Sequence, residues 1–199
     1  LHSDTRRQRQ MCIRDRCQTM RSFGVMGKVY AKEEVVNRKY FNIARTIGAW
    51  AVKNSEQPQS KWDPRYRVVF NGTDTRRADG TQALYATNAS LPASLRDLRL
   101  FTVASALHGW ETLLGDVTGA YLNATAPPDT FVELSDEQVD HLLTPEEAAR
   151  YKWLKKNNKH PVVELRKALY GHTQAGFLWE AEARKNLLKM GFTNFSDTS

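Results

Sequence analysis

Residues 162–179, VVELRKALYGHTQAGFLW, contain the signals of a strand, a tight turn and a helix in direct succession. Residues 162–165 form a short apolar run that predicts a strand, and the Tyr-Gly pair at 170–171 predicts a turn. Residues 173–190 carry apolar side chains at helical spacing, and Gly191 is a helix stop signal. The predicted apolar side of this helix consists of Phe177, Ala181, Leu187 and Leu188.

The rest of the chain alternates between helix and strand signals. Ser135 with Gln138, and Thr144 with Glu147, have the spacing of capping boxes, so a helix is expected to begin at each pair. This order of elements predicts an α+β fold with a mixed or antiparallel sheet packed with helices. The other predicted elements are helices over residues 33–52, 93–110 and 117–123, and strands over residues 65–70, 111–116 and 131–134. The second of these helices is expected to end at His108-Gly109, and its predicted apolar side consists of Leu95, Leu98, Phe101, Ala104 and Leu107.

Composition limits the class of protein. The chain has 199 residues, of which 41% are hydrophobic and 26% charged, which is enough to bury a core and too apolar for global disorder. No apolar run approaches the roughly 18 residues that cross a bilayer, so no membrane partner is expected. Cys12 and Cys17 cannot form a disulfide framework, and with no signal peptide before them they predict a reducing, intracellular compartment.

The net charge of +7 is unevenly distributed. Residues 1–16 hold five arginines and two aspartates and so carry +3, as a basic arm would. Residues 6–16, RRQRQMCIRDR, nevertheless back-translate without interruption into DNA that resembles the transposase mosaic end and read-one adapter of sequencing libraries. This resemblance implies that residues 1–16 are translated adapter and not part of the natural protein. Residues 17–199 then carry +4.

Two segments carry candidate functional side chains besides residues 163–179. In LGDVTGAYLNA, residues 114–124, Asp116 leaves a predicted strand. Such an aspartate is most often a turn residue or a helix cap, and the functional alternative is a metal-holding carboxylate at a strand end. In RYRVVFNG, residues 65–72, two arginines alternate onto one face of a strand, which taken alone is a solvated face.

Together the three segments resemble the reverse transcriptase domain of copia-type retrotransposons. That family has the patterns K-A-R-L-V-x-K-G, D-V-K-T-A-F-L-N-G and C-K-L-x-K-A-L-Y-G-L-K-Q-A-P-R-x-W, followed by G-F. Here RYRVVFNG, DVTGAYLNA, VVELRKALYGHTQAGFLW and Gly191-Phe192 follow in the same order with similar spacing. The resemblance implies the fingers and partial palm of a right-hand polymerase over residues 61–199, with residues 17–60 as a weakly matched N-terminal extension.

The resemblance implies roles for individual residues in nucleotidyl transfer by two metal ions. Asp116 matches the first metal-binding aspartate, and the backbone carbonyl of Val117 would share the metal of the incoming nucleotide. Tyr121 matches an aromatic residue beneath the sugar that excludes a 2′-hydroxyl group. Gln174 matches the glutamine that braces the nucleotide.

Arg65 or Arg67 would neutralise the triphosphate. The implied cofactor is Mg²⁺, with Mn²⁺ as the alternative ion. The implied partners are an RNA or DNA template-primer, dNTPs and the remainder of a retroelement polyprotein, in a cytoplasmic retroelement particle. The family's second motif, Y-x-D-D, does not occur before Ser199. Since one of three carboxylates cannot hold both ions, this RNA-directed DNA polymerase fragment is expected to be catalytically incomplete.

The chain departs from the family pattern at three places. Thr118 stands where the family has lysine, Gly176-Phe177 where it has Pro-Arg, and residues 85–92 replace an acidic-aromatic-Ala-Pro stretch. Each change removes rigidity or positive charge near the expected template.

Two alternatives from other classes remain open. The first is a non-enzymatic nucleic-acid-binding module that uses aromatic side chains and a basic helix face. The second is a structural α+β domain whose aromatic side chains all belong to the core. Salt-dependent binding without divalent metal would favour the first, and no template-primer binding at low salt would favour the second. The basic face consists of Lys152, Lys155, Lys156 and Lys159.

Overall fold

A computed structural model describes residues 2–85 and 93–193, with side chains from residue 9 onward. Within this part the chain forms seven helices and six strands. The helices are α1 (His2–Ser22), α2 (Lys32–Val35), α3 (Leu95–His108), α4 (Ala120–Asn123), α5 (Asp136–Leu142), α6 (Pro145–Lys156) and α7 (Ala175–Lys189). The strands are β1 (Met26–Ala31), β2 (Asn42–Lys53), β3 (Asp63–Phe70), β4 (Arg76–Arg77), β5 (Thr130–Glu133) and β6 (Pro161–Leu165).

The strands form one mixed sheet in the order β1-β6-β5-β2-β3, with β4 also paired to β2. Strands β2 and β5 run parallel, and the other pairs are antiparallel. The long strand β2 uses its first half to pair with β4 and β5 and its second half to pair with β3. The expected α+β class with a mixed sheet is therefore confirmed.

The start signals of α5 and α6 act as the sequence predicts. Gln138 accepts a hydrogen bond from the Ser135 N–H at 3.1 Å. The Glu147 N–H donates to the Thr144 hydroxyl at 3.3 Å, and Pro145 takes the first helical position. These bonds satisfy backbone donors that have no partner inside a helix, so two helices begin where the sequence places them.

Helix α1 packs against the sheet and α5 through one side. Ile13, Cys17 and Met20 are fully buried and belong to the main apolar core. Their spacing of four and three residues places them on one face of a helix. Residues 2–16, expected from their codons to be adapter, therefore continue the same helix as residues 17–22, and Ile13 contributes to the core.

The helix predicted over residues 33–52 is wrong. Only residues 32–35 are helical, and residues 42–53 form β2. The reason is tertiary, since β2 pairs with β3 over eight residues and sets Trp50 against Tyr66 with ring centroids 4.9 Å apart. Such cross-strand pairing outweighs the weak helical preference of this alanine-containing segment.

The strand predicted over residues 111–116 is also wrong. These residues have irregular backbone, and the side chains of Leu113 and Leu114 are 95% and 96% exposed. A strand needs a hydrogen-bonding neighbour, and none of the six described strands pairs with this segment. The apolar sequence is therefore present without the partner that would make it a strand.

Helices α3 and α7 form near their predicted bounds but do not bury the predicted apolar sides. Gly109 ends α3 in the left-handed conformation, as its position predicts. Leu107 is 80% exposed, however, and Leu187 and Leu188 of α7 are about half exposed. Helical spacing determines which side chains share a face, but burial requires a packing partner, and the described elements do not supply one for Leu107, Leu187 and Leu188.

Among the described helices, none combines the length and the apolar character needed to cross a lipid bilayer.

Candidate functional site

The turn at residues 170–171 packs directly against the end of β3. Gly171 has a φ of 86°, and a Cβ atom there would collide with the Phe70 carbonyl oxygen. The Phe70 N–H donates to the Tyr170 carbonyl at 2.7 Å. Only glycine fits both the positive φ and the close approach of the two backbones. The Tyr-Gly pair therefore joins the segment 163–179 to the segment 65–72.

The ring of Tyr170 is the point where the three motif segments meet. Tyr121 of α4 packs edge-on against it, with ring centroids 4.6 Å apart. The guanidinium group of Arg67 lies 5.8 Å from the same ring centroid, within the range of a cation–π contact. Tyr121, Tyr170 and Arg67 are called the Tyr170 cluster below. Three segments far apart in sequence therefore converge, although their local pattern marks Tyr170 as a turn residue only.

Small residues allow α4 and α7 to approach each other beside this cluster. Ala124, Ala168 and Ala175 form a separate buried group against which Tyr121 packs. The Ala168 N–H donates to the Ala124 carbonyl at 3.0 Å, and this bond fixes the spacing between the two backbone segments. Gln174 lies at the N-terminal end of α7, where its backbone N–H donates to the His172 Nδ1 at 3.1 Å.

Arg65 and Arg67 lie on the exposed face of β3, while Tyr66 between them is buried, as the alternation predicts. Their surroundings differ. Arg65 forms an ion pair with Asp63 at 2.6 Å, whereas Arg67 faces the Tyr170 ring. Arg67 is therefore the better placed of the two arginines to meet an anion next to Tyr121 and Tyr170.

Asp116 and Val117 lie outside this cluster in the irregular segment between α3 and α4. Both are exposed, and in the described part of the chain no hydrogen bond or ion pair joins Asp116 to another residue. The structure thus brings together Arg67 and Tyr121 but does not bring Asp116 to them.

The residues present do not form a site for a pair of metal ions. Within residues 9–85 and 93–193, no group of three or more histidine, cysteine, aspartate or glutamate side chains is arranged to hold a metal. Mg²⁺ prefers several oxygen ligands in near-octahedral geometry, and the lone exposed carboxylate of Asp116 does not supply them. No catalytic step through a metal is therefore derived for this chain.

The basic face of α6 is partly neutralised. The Lys152 ammonium forms an ion pair with Asp140, and the Lys155 ammonium forms one with Asp136 at 2.6 Å. Both aspartates belong to α5, which packs beside α6. Two of the four lysines of the basic face are thus balanced by carboxylates, which weakens this face as a surface for nucleic acid.

His172 is a buried residue that sequence reasoning missed. Its ring lies between those of Phe70 and Tyr85, at centroid distances of 4.8 and 5.4 Å. Burial lowers the pKa of His172 to about 4 from its ordinary 6.5. Its Nε2 has no hydrogen-bond partner among the described residues. The sequence offered one sign of this burial: the family pattern K-A-L-Y-G-L-K-Q, which residues 167–174 resemble, has an apolar leucine at the position of His172.

No family model, curated protein or solved structure matches the chain.

Proposed function

We propose that the chain is part of a copia-type retrotransposon reverse transcriptase, an RNA-directed DNA polymerase, and that it does not polymerise by itself. The ordered set of motifs supports this proposal. The contacts of Tyr121 and Arg67 with the Tyr170 ring are compatible with it, since they place the three motif segments side by side. A role in nucleotide binding is assigned to Arg67, Tyr121 and Gln174 on the same basis.

The chemistry expected of this site is binding rather than bond formation. Arg67 lies beside the Tyr170 ring, which in turn packs against Tyr121, so a fixed positive charge and aromatic rings occur together, which suits the phosphate and sugar of a nucleotide. In a complete polymerase domain, Asp116 and the Val117 carbonyl would be among the groups that hold Mg²⁺ or Mn²⁺, and that ion would supply Lewis-acid chemistry for nucleotidyl transfer.

The first test is primer extension on an RNA template with Mg²⁺ or Mn²⁺. We expect no dNTP incorporation by this chain, because its described residues form no metal-binding group. Clear incorporation would contradict the proposal that the chain is catalytically incomplete.

The second test asks whether a longer protein from the same source polymerises. Source DNA downstream of the Ser199 codon is expected to encode an aromatic-x-Asp-Asp motif between two hydrophobic runs. A protein extended through that motif should extend the primer, and Asp116→Asn should lower the rate by at least about 10²-fold, since a metal ligand is lost. Asp140→Asn, an exposed change on α5, is the matched control and should leave the rate unchanged. A downstream sequence without the motif would rule out the polymerase proposal.

A second candidate, a non-enzymatic nucleic-acid-binding module built on the lysines of α6, is less well supported. Lys152 and Lys155 are already paired with carboxylates of α5. Exposed ion pairs of this kind contribute little stability, but they do reduce the positive potential that a polyanion would meet.

A further inference from the structure

A cleft of about 640 Å³ opens beside the first residues of β2. Four short segments line it, namely residues 38–42, 77–79, 83–85 and 127–128. None of these residues belongs to the Tyr170 cluster or to the three motifs that support the polymerase proposal. The volume lies within the roughly 300–1,000 Å³ of pockets that hold small organic ligands.

The walls of this cleft are held together by backbone contacts. Asn42 is opposite Arg77 in the pairing of β2 with β4. The Asn42 N–H donates to the Asp129 carbonyl at 3.0 Å, and the Tyr40 N–H donates to the Asp129 carboxylate at 3.4 Å. Because Pro127 and Pro128 restrict the opposite wall, the cleft is formed before any ligand enters.

The charged groups of the cleft leave an excess of positive charge. Arg38 is paired with Asp129 at 3.5 Å. Asp79 accepts hydrogen bonds from the backbone and the hydroxyl group of Thr81. Lys39 and Arg77, by contrast, form no ion pair with any described carboxylate, and Arg77 makes one long bond of 3.4 Å to the Leu84 carbonyl. Lys39 and Arg77 therefore carry charge outside any ion pair, and with the carboxylates of Asp79 and Asp129 counted the cleft keeps one net positive charge.

An aromatic surface lies next to these cations. Tyr40 is 52% exposed, and the Lys39 ammonium lies 4.9 Å from the centroid of its ring. A half-exposed ring beside two unpaired cations presents a flat apolar face and positive charge within one cleft. A nucleotide unit has the complementary pair of features, an aromatic base and a phosphate.

We propose that this cleft binds a nucleotide unit, with the phosphate held by Lys39 and Arg77 and the base stacked on Tyr40. The unit can be a free nucleotide or one residue of a single strand, because both present a phosphate next to a base. The proposal does not depend on polymerase activity, since the cleft shares no residue with the Tyr170 cluster. The experiment that tests nucleotide binding in the cleft and the experiment that tests the polymerase proposal can therefore give opposite results.

The test measures fluorescence anisotropy of labelled dT12 with the full chain across a range of salt concentrations. The double variant K39A/R77A should bind at least tenfold more weakly, and the dependence of log K on log salt should become shallower by about 0.7 per lost contact. The double variant K53A/K61A is the control, because it removes the same charge from two exposed lysines outside the cleft and outside the basic face of α6. Thermal unfolding of each variant verifies that the fold is retained.

The contribution of the base is measured by replacing dT12 with an abasic dodecamer of the same charge. The wild-type chain should prefer dT12 by fivefold or more, and Tyr40→Ala should abolish this preference. Trp153→Ala, which removes an exposed aromatic ring on α6, should preserve it. Unlabelled dTTP competing with dT12 identifies a free-nucleotide site, and its failure to compete identifies a single-strand site.

Two results would overturn the proposal. If K39A/R77A and K53A/K61A weaken binding equally, the cleft has no special role and the chain binds polyanions through its overall charge. If dT12 and the abasic dodecamer bind equally to the wild-type chain, Tyr40 does not stack on a base.

Discussion

His172 is an ionisable side chain in an apolar position, between Phe70 and Tyr85. Burial lowers the pKa of this imidazole to about 4, while in the unfolded chain it keeps the ordinary value of 6.5. The unfolded state therefore binds more protons than the folded state between pH 6.5 and 4. The neutral buried imidazole therefore contributes stability above pH 6.5 that is lost as the pH falls to 4. The free energy of unfolding should drop by about 3 kcal/mol over this window.

Replacing His172 by leucine should remove this pH dependence. Near neutral pH the change in the free energy of unfolding should be small, since the variant gains apolar contact but loses the hydrogen bond from the Gln174 N–H. At pH 4.5 the variant should be more stable than the wild-type chain by about 2 kcal/mol. Urea unfolding followed by circular dichroism from pH 4 to 8 measures both curves.

His160→Leu is the control for this comparison because His160 is exposed. Its unfolding curve should keep the pH dependence of the wild-type chain. Parallel curves for the wild-type chain and His172→Leu would show that His172 is not buried as the structure describes.

At the scale of elements, substitutions in α1 show whether the first residues of the chain contribute to the stability of the fold. Ile13 is fully buried in the main core, whereas Met11, on the same helix, is 48% exposed. If α1 docks as described, Ile13→Ala should lower the free energy of unfolding by about 2–5 kcal/mol, because it leaves a cavity in a packed core. Met11→Ala should change it by less than about 0.5 kcal/mol.

The measurement is chemical denaturation of the two variants and the wild-type chain. Equal effects of the two substitutions would mean that α1 does not dock on the sheet. A large effect at Ile13 would show that this residue stabilises the fold whatever the origin of its codon. Native codons for residues 11–16 at the source locus would contradict the interpretation of this segment as adapter.

For the molecule as a whole, α3 and the segment that follows it expose several large apolar side chains. Leu100, Leu107, Leu113 and Leu114 are between 58% and 96% exposed. Apolar patches of this kind on one molecule mark an interaction surface or a tendency to aggregate. Nothing in the described part of the chain covers this surface, so the isolated chain should bind hydrophobic dyes and associate at high concentration.

The double variant L100Q/L107Q should reduce dye fluorescence and self-association without loss of stability. Its melting temperature should shift by less than about 2 °C, since the two side chains are exposed. Leu154→Ala, in the core, should instead cost about 2–5 kcal/mol. Light scattering and ANS fluorescence measure the first effect and thermal unfolding the second. An L100Q/L107Q variant as destabilised as Leu154→Ala would mean that α3 is packed in solution.

Local signals in the sequence were sufficient for several parts of the fold. Capping residues located the starts of α5 and α6, and Gly109 located the end of α3, because such signals act through bonds within a few residues. The alternation of Arg65, Tyr66 and Arg67 gave the faces of β3 for the same reason. For the candidate site, the family resemblance indicated Arg67 and Tyr121, but nothing in the sequence indicated that the ring of Tyr170 contacts both.

The sequence by itself thus determined the α+β class, the starts of α5 and α6, the end of α3 and the motifs that suggest a polymerase. Only the tertiary structure decided that residues 42–53 form a strand and that residues 111–116 do not. It also decided that Lys39, Tyr40 and Arg77 share one cleft. The physical reason is that strand pairing and cleft formation depend on residues far apart in the chain, and the energy of those contacts exceeds local preference.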